Sequence, residues 1–261
     1  MNKVCNDNYD PRYAHVTEDA IIEMDSIYGR HLRWTYERCF RKEDLSYMWY
    51  RNFVSVADFA NLIPQFRQLS IDDKCQLFRL NFSNISWIFY YDDLIDDELI
   101  LGFPLGNGAY VSWDQFQSYA ADSLFKPNSK TFAEDYKKFI LTSFDPFKNI
   151  DVDEKEMCLL KTILLFQFEE NLSDSGLEIC QRMNNLLIDT LWDYQSIRFP
   201  ELSFEEKLRR HSKFLLLIPK IGQAWHMESD IHLLMSIFGE MNIDGVVKEL
   251  LFYNSTFESK H

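Results

Sequence analysis

The chain has 261 residues, 46 % apolar and 26 % charged, a globular balance that excludes a disordered or linker-like polymer. Eight glycines and seven prolines are few for this length, which excludes a sandwich or barrel built on many tight turns and favours long helices. A formal charge of −14 argues against direct nucleic-acid binding by this chain, because affinity for a phosphate backbone comes from clustered Lys and Arg.

Taken in chain order, the opening MNKVCNDNYDP holds no apolar run that could act as a secretory signal, and residues 1–16 read as a flexible N-terminal arm. Thr17 can cap a first helix, with Glu18 and Asp19 in its positive first turn. Asp44 to Phe66 reads as a long helix interrupted or ended by Pro64. Ser70, Asp72 and Asp73 form a start signal for another, Lys74 to about Asp93, apolar on almost every side and therefore buried. From Leu99 to Trp113, apolar segments flank Gly106-Asn107-Gly108, the pattern of a short β-hairpin. Helical periodicity resumes at Asp114 to Leu124, Thr131 to Phe144, Glu154 to Glu169 and Leu177 to Ile197. Ser203 and Glu206 form a capping box ahead of a long segment ending near Gly239, and a last short amphipathic helix follows Asp244-Gly245. The longest apolar runs, Phe214 to Ile218 and Ile163 to Phe166, fall far short of the roughly 18–20 residues of a membrane span, so a soluble chain with no membrane partner is expected.

Chemistry-bearing patterns are sparse. The five cysteines, Cys5, Cys39, Cys75, Cys158 and Cys180, form no C-x-x-C pair, which reads as free thiols in a reducing compartment rather than a zinc site. Asp151-Val152-Asp153 resembles the opening of a calcium loop but lacks its Gly and its closing Glu. No phosphate-binding loop, H-E-x-x-H or G-x-S-x-G occurs, and the six histidines have no metal-ligand spacing. Asp92, Asp93 and Asp96 match the D-D-x-x-D pattern with which all-helical isoprenoid synthases hold magnesium, but no second such motif follows. No enzyme activity, metal or cofactor is therefore expected, with a magnesium-dependent isoprenoid synthase kept as the enzymatic alternative.

Two patterns rise above this background. Phe59-Ala60-Asn61 is followed at fixed spacing by Phe66, Leu69, Asp73-Lys74 and Leu77-Phe78. Near the C-terminus, Val246-Val247-Lys248-Glu249-Leu250-Leu251 sets paired apolar residues one helical turn apart. With these the chain resembles the ligand-binding domain of a nuclear hormone receptor: the first pattern is similar to the signature joining the family's third, fourth and fifth helices, the second to its activation helix. Lys213-Phe214-Leu215-Leu216-Leu217-Ile218-Pro219 gives it the style of nematode receptors related to the hepatocyte-nuclear-factor branch.

The resemblance implies an all-α fold, a three-layer antiparallel helical sandwich of about eleven to twelve helices with one short β-hairpin, over residues 17–261 with an activation helix at 243–253. It implies a nuclear transcription regulator whose lipophilic small-molecule ligand favours docking of that helix, which completes a groove for coactivator or corepressor helical peptides. Asn61, Arg79, Val246, Val247, Glu249, Leu250 and Leu251 would form the groove, with Glu249 and Arg79 meeting the two ends of the bound helix. Asn61 stands where the family usually has Lys, leaving the positive end to Arg79. Leu45, Met48, Trp49, Asn52 and Phe53, then Ser83, Ser86, Trp87 and Tyr90, then Phe103, Tyr110, His232 and Met235 would line the pocket. Asp93 falls where several members anchor an acidic ligand with Arg, so a fatty acid held there is not expected. Homodimers or receptor heterodimers would form through 177–197 and 204–238, with Arg198, Arg209 and Arg210 at the rim. The zinc-bearing DNA-binding module of a full receptor has no cysteines to build it here, which implies an excised domain or a protein without that module. A helical scaffold with no ligand keeps the same fold and loses the switch.

Overall fold

The computed structural model describes residues 33–39, 42–94, 102–105, 107–113, 134, 137–138, 145–167 and 171–223, with backbone alone at 33–35, 42–51, 90–94 and 107. The helices expected from Thr17, over 114–124 and at 243–253 lie outside the described residues, as does most of 131–144. Strand β1 (Arg33–Cys39) precedes helices α1 (Lys42–Leu62), α2 (Pro64–Arg67) and α3 (Ile71–Leu94). The hairpin strands β2 (Gly102–Pro104) and β3 (Asn107–Ser112) follow, then α4 (Asp145–Lys148), α5 (Glu154–Leu165), α6 (Asp174–Arg198) and α7 (Phe204–Leu215), with helix resuming over 217–223. The described chain is mostly helical with one small sheet.

Pro64 does end the first long helix: it sits at the start of α2, where its missing N–H is no loss, and Ile63 before it is extended. Six residues after Pro64, Ser70 accepts from the Asp73 amide at 3.1 Å and starts α3. Capping boxes start α5 (Asp153 with Glu156) and α7 (Ser203 with Glu206), and Ser173 caps α6. The last carbonyls of α5 are also met: Asn81 of α3 donates to Leu165 O at 3.3 Å and Asn184 of α6 donates to Phe166 O at 2.9 Å.

The expected hairpin is present, antiparallel in the register Gly102↔Ser112 and Phe103↔Val111. Gly102 lies so close to β3 that a Cβ there would sit 2.1 Å from Val111 O, and Gly108 turns the chain at φ 86°. One correction is needed. A third strand, β1, pairs parallel to β3 (Arg38↔Ala109, Cys39↔Tyr110), so the sheet order is β1-β3-β2 rather than a lone hairpin. Trp34-Thr35-Tyr36-Glu37 has the alternation and β-forming residues of a strand, but its partner is about seventy positions away, beyond the reach of a local pattern.

The core runs through α1, α3, α5 and α6. Of the apolar members of the signature pattern, Ala60, Phe66, Leu69, Leu77 and Phe78 are buried and Phe59 is partly buried against them, at the crossing of α1 with α3. Leu160, Leu164 and Leu165 of α5 join them, followed by Cys180, Met183, Leu187 and Leu191 of α6. No described helix is long and apolar enough to cross a membrane.

Candidate functional site

The interior face of α3 is the first part of the candidate site. Phe78, Phe82 and Ser86 lie four residues apart and form one row. Phe53 of α1 stacks on Phe82 with ring centroids 4.3 Å apart and planes 10° apart, and meets Phe78 at 6.1 Å. This row therefore faces α1. Among the residues expected to line a pocket, Phe53, Ser83, Ser86, Trp87 and Phe103 are buried, and Asn52 and Tyr110 are half-buried. Leu45, Met48 and Trp49 fall on α1 and Tyr90 and Asp93 on α3, but their side chains lie outside the described set, as do His232 and Met235 entirely. The same limit covers Asp92 and Asp96, and no cluster of metal-binding side chains occurs among the described residues.

Tyr110 of β3 is tied to β1. Its ring meets Tyr36 of β1 edge-on at 5.2 Å. A hydrogen bond with the Cys39 thiol, and then the charge that thiol can carry, push the Tyr110 phenol above its ordinary value, so it stays neutral at physiological pH.

The second part is the outer end of α1 beside α3. Asn61 and Arg79 are both half-buried, with Leu62 exposed next to Asn61. Val246, Val247, Glu249, Leu250 and Leu251 lie outside the described residues. Asp73, one turn before Leu77, holds this end rigid. Burial pushes its carboxyl up, but hydrogen bonds from the Ser173 hydroxyl and amide (both 2.7 Å) and from Ser70 outweigh it and hold the group below its ordinary value. The first turn of α6 is thereby tied to the first turn of α3, and a Cβ at Gly176 would come within 2.7 Å of the same carboxylate.

A third cluster was not anticipated from the sequence. Glu156 of α5 is wholly buried and accepts from Gln195 Nε2 (2.7 Å), Arg198 Nη1 (2.6 Å) and both terminal nitrogens of Arg210. Arg198 also pairs with Asp151 and Asp153, and the two guanidiniums lie over the ring of Phe199 at 4.7 and 4.2 Å. Arg198 and Arg210, two of the three arginines named for a dimer rim, both pair with this carboxylate, and Arg209 is exposed. Because Gln195 donates to Glu156, its Oε1 is left to accept from His211 Nδ1 at 2.9 Å, which fixes that ring's tautomer. Burial, and then the neighbouring Arg210 charge, hold His211 below its ordinary pKa, so it is neutral. Lys161 of α5 is also buried, its ammonium 4.6 Å from the centre of the Phe89 ring.

Comparison with known proteins now adds to the geometry. The sequence profile of the ligand-binding domain of nuclear hormone receptor matches residues 33–238, from β1 into the segment after α7 and short of Val246. Nuclear hormone receptor family member nhr-4 of Caenorhabditis elegans is 22 % identical over 219 residues, covering 83 % of this chain and 42 % of that protein. Family member nhr-100 of the same organism is 23 % identical over 221 residues, covering 78 % and 45 % respectively. The chain thus spans less than half the length of either relative.

Proposed function

This chain belongs to the family of nuclear hormone receptor ligand-binding domains, of the nematode type, and on that premise we propose that it is the ligand-binding and coregulator-recruiting part of a transcription factor acting in the nucleus. The reading covers residues 17–261 as one domain of three helical layers, with 1–16 as an arm. A lipophilic small molecule occupies the interior between α1, α3 and the sheet, against Asn52, Phe53, Ser83, Ser86, Trp87, Phe103 and Tyr110. The terminal helix at 243–253 closes over it, and Val246, Val247, Leu250 and Leu251 bury its apolar side.

Closure brings Glu249 to one end of a groove whose other end carries Asn61 and Arg79. There it receives the N-terminus of an amphipathic coregulator helix, while Arg79 meets the carbonyl end. A ligand shifts this equilibrium by as much as it prefers the closed state. Dimers form through the late helices, where Ile197, Phe204 and Leu208 remain exposed on α6 and α7. The observation that carries the reading is the family match over 33–238, supported by burial of most apolar signature residues at the crossing of α1 with α3.

Native mass spectrometry of the purified chain tests it. A retained or exchangeable lipophilic molecule, one per chain, is expected. A chain that takes up no lipophilic compound from a mixed neutral and acidic lipid extract would leave only a helical scaffold.

A further inference from the structure

Ser86 is 95 % buried by its 5 % exposure, and its hydroxyl oxygen has no hydrogen-bond partner. A helical hydroxyl normally has a simple remedy, donating to the carbonyl four residues back. Thr162, Thr190 and Ser212 all do so here, to Cys158, Leu186 and Leu208, at 2.8, 2.6 and 2.8 Å. Ser86 does not, although Phe82 O stands at the corresponding place on the same helix. Its hydroxyl is left buried at the free-energy cost of an unmet polar group.

The direction is set by the helix. Ser86 follows Phe78 and Phe82 on the row that faces α1, whereas Asn81, whose amide bonds Leu165 O, is about 140° away around the helix and faces α5. The unmet oxygens of Asn81 and Asn84 therefore belong to other faces. A trapped water is a poor remedy at Ser86, because it needs about two to four polar partners and the neighbours on this row are aromatic. The described residues expected around the interior (Asn52, Phe53, Ser83, Trp87, Phe103 and Tyr110) carry no charge, and the Tyr110 phenol stays neutral. Farther along α3, position 93 is an Asp rather than a cation.

Resting on the pocket reading above, we propose that Ser86 is the hydrogen-bonding point of the internal ligand, and that this ligand is a neutral lipophilic molecule bearing an alcohol or primary amide rather than a carboxylate. A neutral group that both donates and accepts satisfies the hydroxyl without bringing an uncompensated charge into an uncharged wall.

The test uses the full chain, stripped of lipid, and equilibrium dialysis with tritiated hexadecanol, hexadecanamide and palmitate. Wild type is expected to hold hexadecanol or hexadecanamide more tightly than palmitate. Ser86→Ala should weaken that binding roughly tenfold, and Ser86→Thr should restore most of it. Ligand-free Ser86→Ala should melt no lower than wild type, since only an unmet hydroxyl is lost. Equal affinities of wild type and Ser86→Ala, or a preference for palmitate, would overturn this assignment while leaving the pocket in place. Uptake of none of the three by wild type would overturn the pocket with it.

Discussion

Replacing Glu156 by Gln keeps the side chain's shape and removes its charge. Five donors converge on the carboxylate: Gln195, Arg198, two nitrogens of Arg210, and the Asp153 amide at 3.3 Å. After the substitution one accepting oxygen becomes an NH2 group facing a guanidinium, and Arg210, only 11 % exposed, loses its counter-charge while Arg198 keeps Asp151 and Asp153. Breaking a buried pair in this way costs about 3–5 kcal/mol, against roughly 0–1 kcal/mol for a surface pair. At about 2–4 °C per kcal/mol for a domain of this size, the melting temperature should fall by roughly 6–20 °C. Urea unfolding followed by tryptophan fluorescence reads the same loss as a lower midpoint at an unchanged slope. Glu206→Gln, on the exposed capping box of α7, should move the midpoint far less. Replacing Glu156 and Arg210 together by Met should recover part of the loss, because that buried pair is then removed as a unit while Arg198 stays with Asp151 and Asp153. A Glu156→Gln loss below about 1 kcal/mol would refute the view that this cluster clamps α5, α6 and α7 together.

Two further outcomes follow from titration and packing. His211 is held below 6.5 in the folded chain, so its contribution is complete above that pH and is lost as pH falls through the folded value; His211→Gln should flatten stability measured between about pH 5 and 7. Asp73 is held below 3.8, so its contribution is present above that pH and is lost on further acidification; Asp73→Asn should remove that part of the acid slope, and Gly176→Ala should destabilise at every pH by crowding the same carboxylate.

Local chemistry made much of the helical frame legible. Pro64, the Ser70 cap, the Ser203–Glu206 box and the Gly-Asn-Gly turn each act within four or five residues, and each marks an element boundary in the structure. Features that depend on distant partners were not legible. β1 needs β3 beside it to be a strand, and Glu156 reads in sequence only as the third residue of a capped helix. Arg198 and Arg210 lie in polar stretches that suggest a solvated face; only the fold brings both onto one buried oxygen pair. At the candidate pocket the register of the family resemblance pointed to Ser83, Ser86 and Trp87, which are buried, but it could not reveal that the Ser86 hydroxyl lacks its usual backbone acceptor.

The central claim, that a closed terminal helix and the α1–α3 body share one peptide groove, is tested most directly by anisotropy of a fluorescein-labelled L-x-x-L-L helical peptide titrated with the full chain. Saturable binding is expected, and Glu249→Ala and Arg79→Ala should each weaken it by about tenfold, since each removes the charge at one end of the peptide's dipole. Binding left unchanged by both substitutions would contradict the claim.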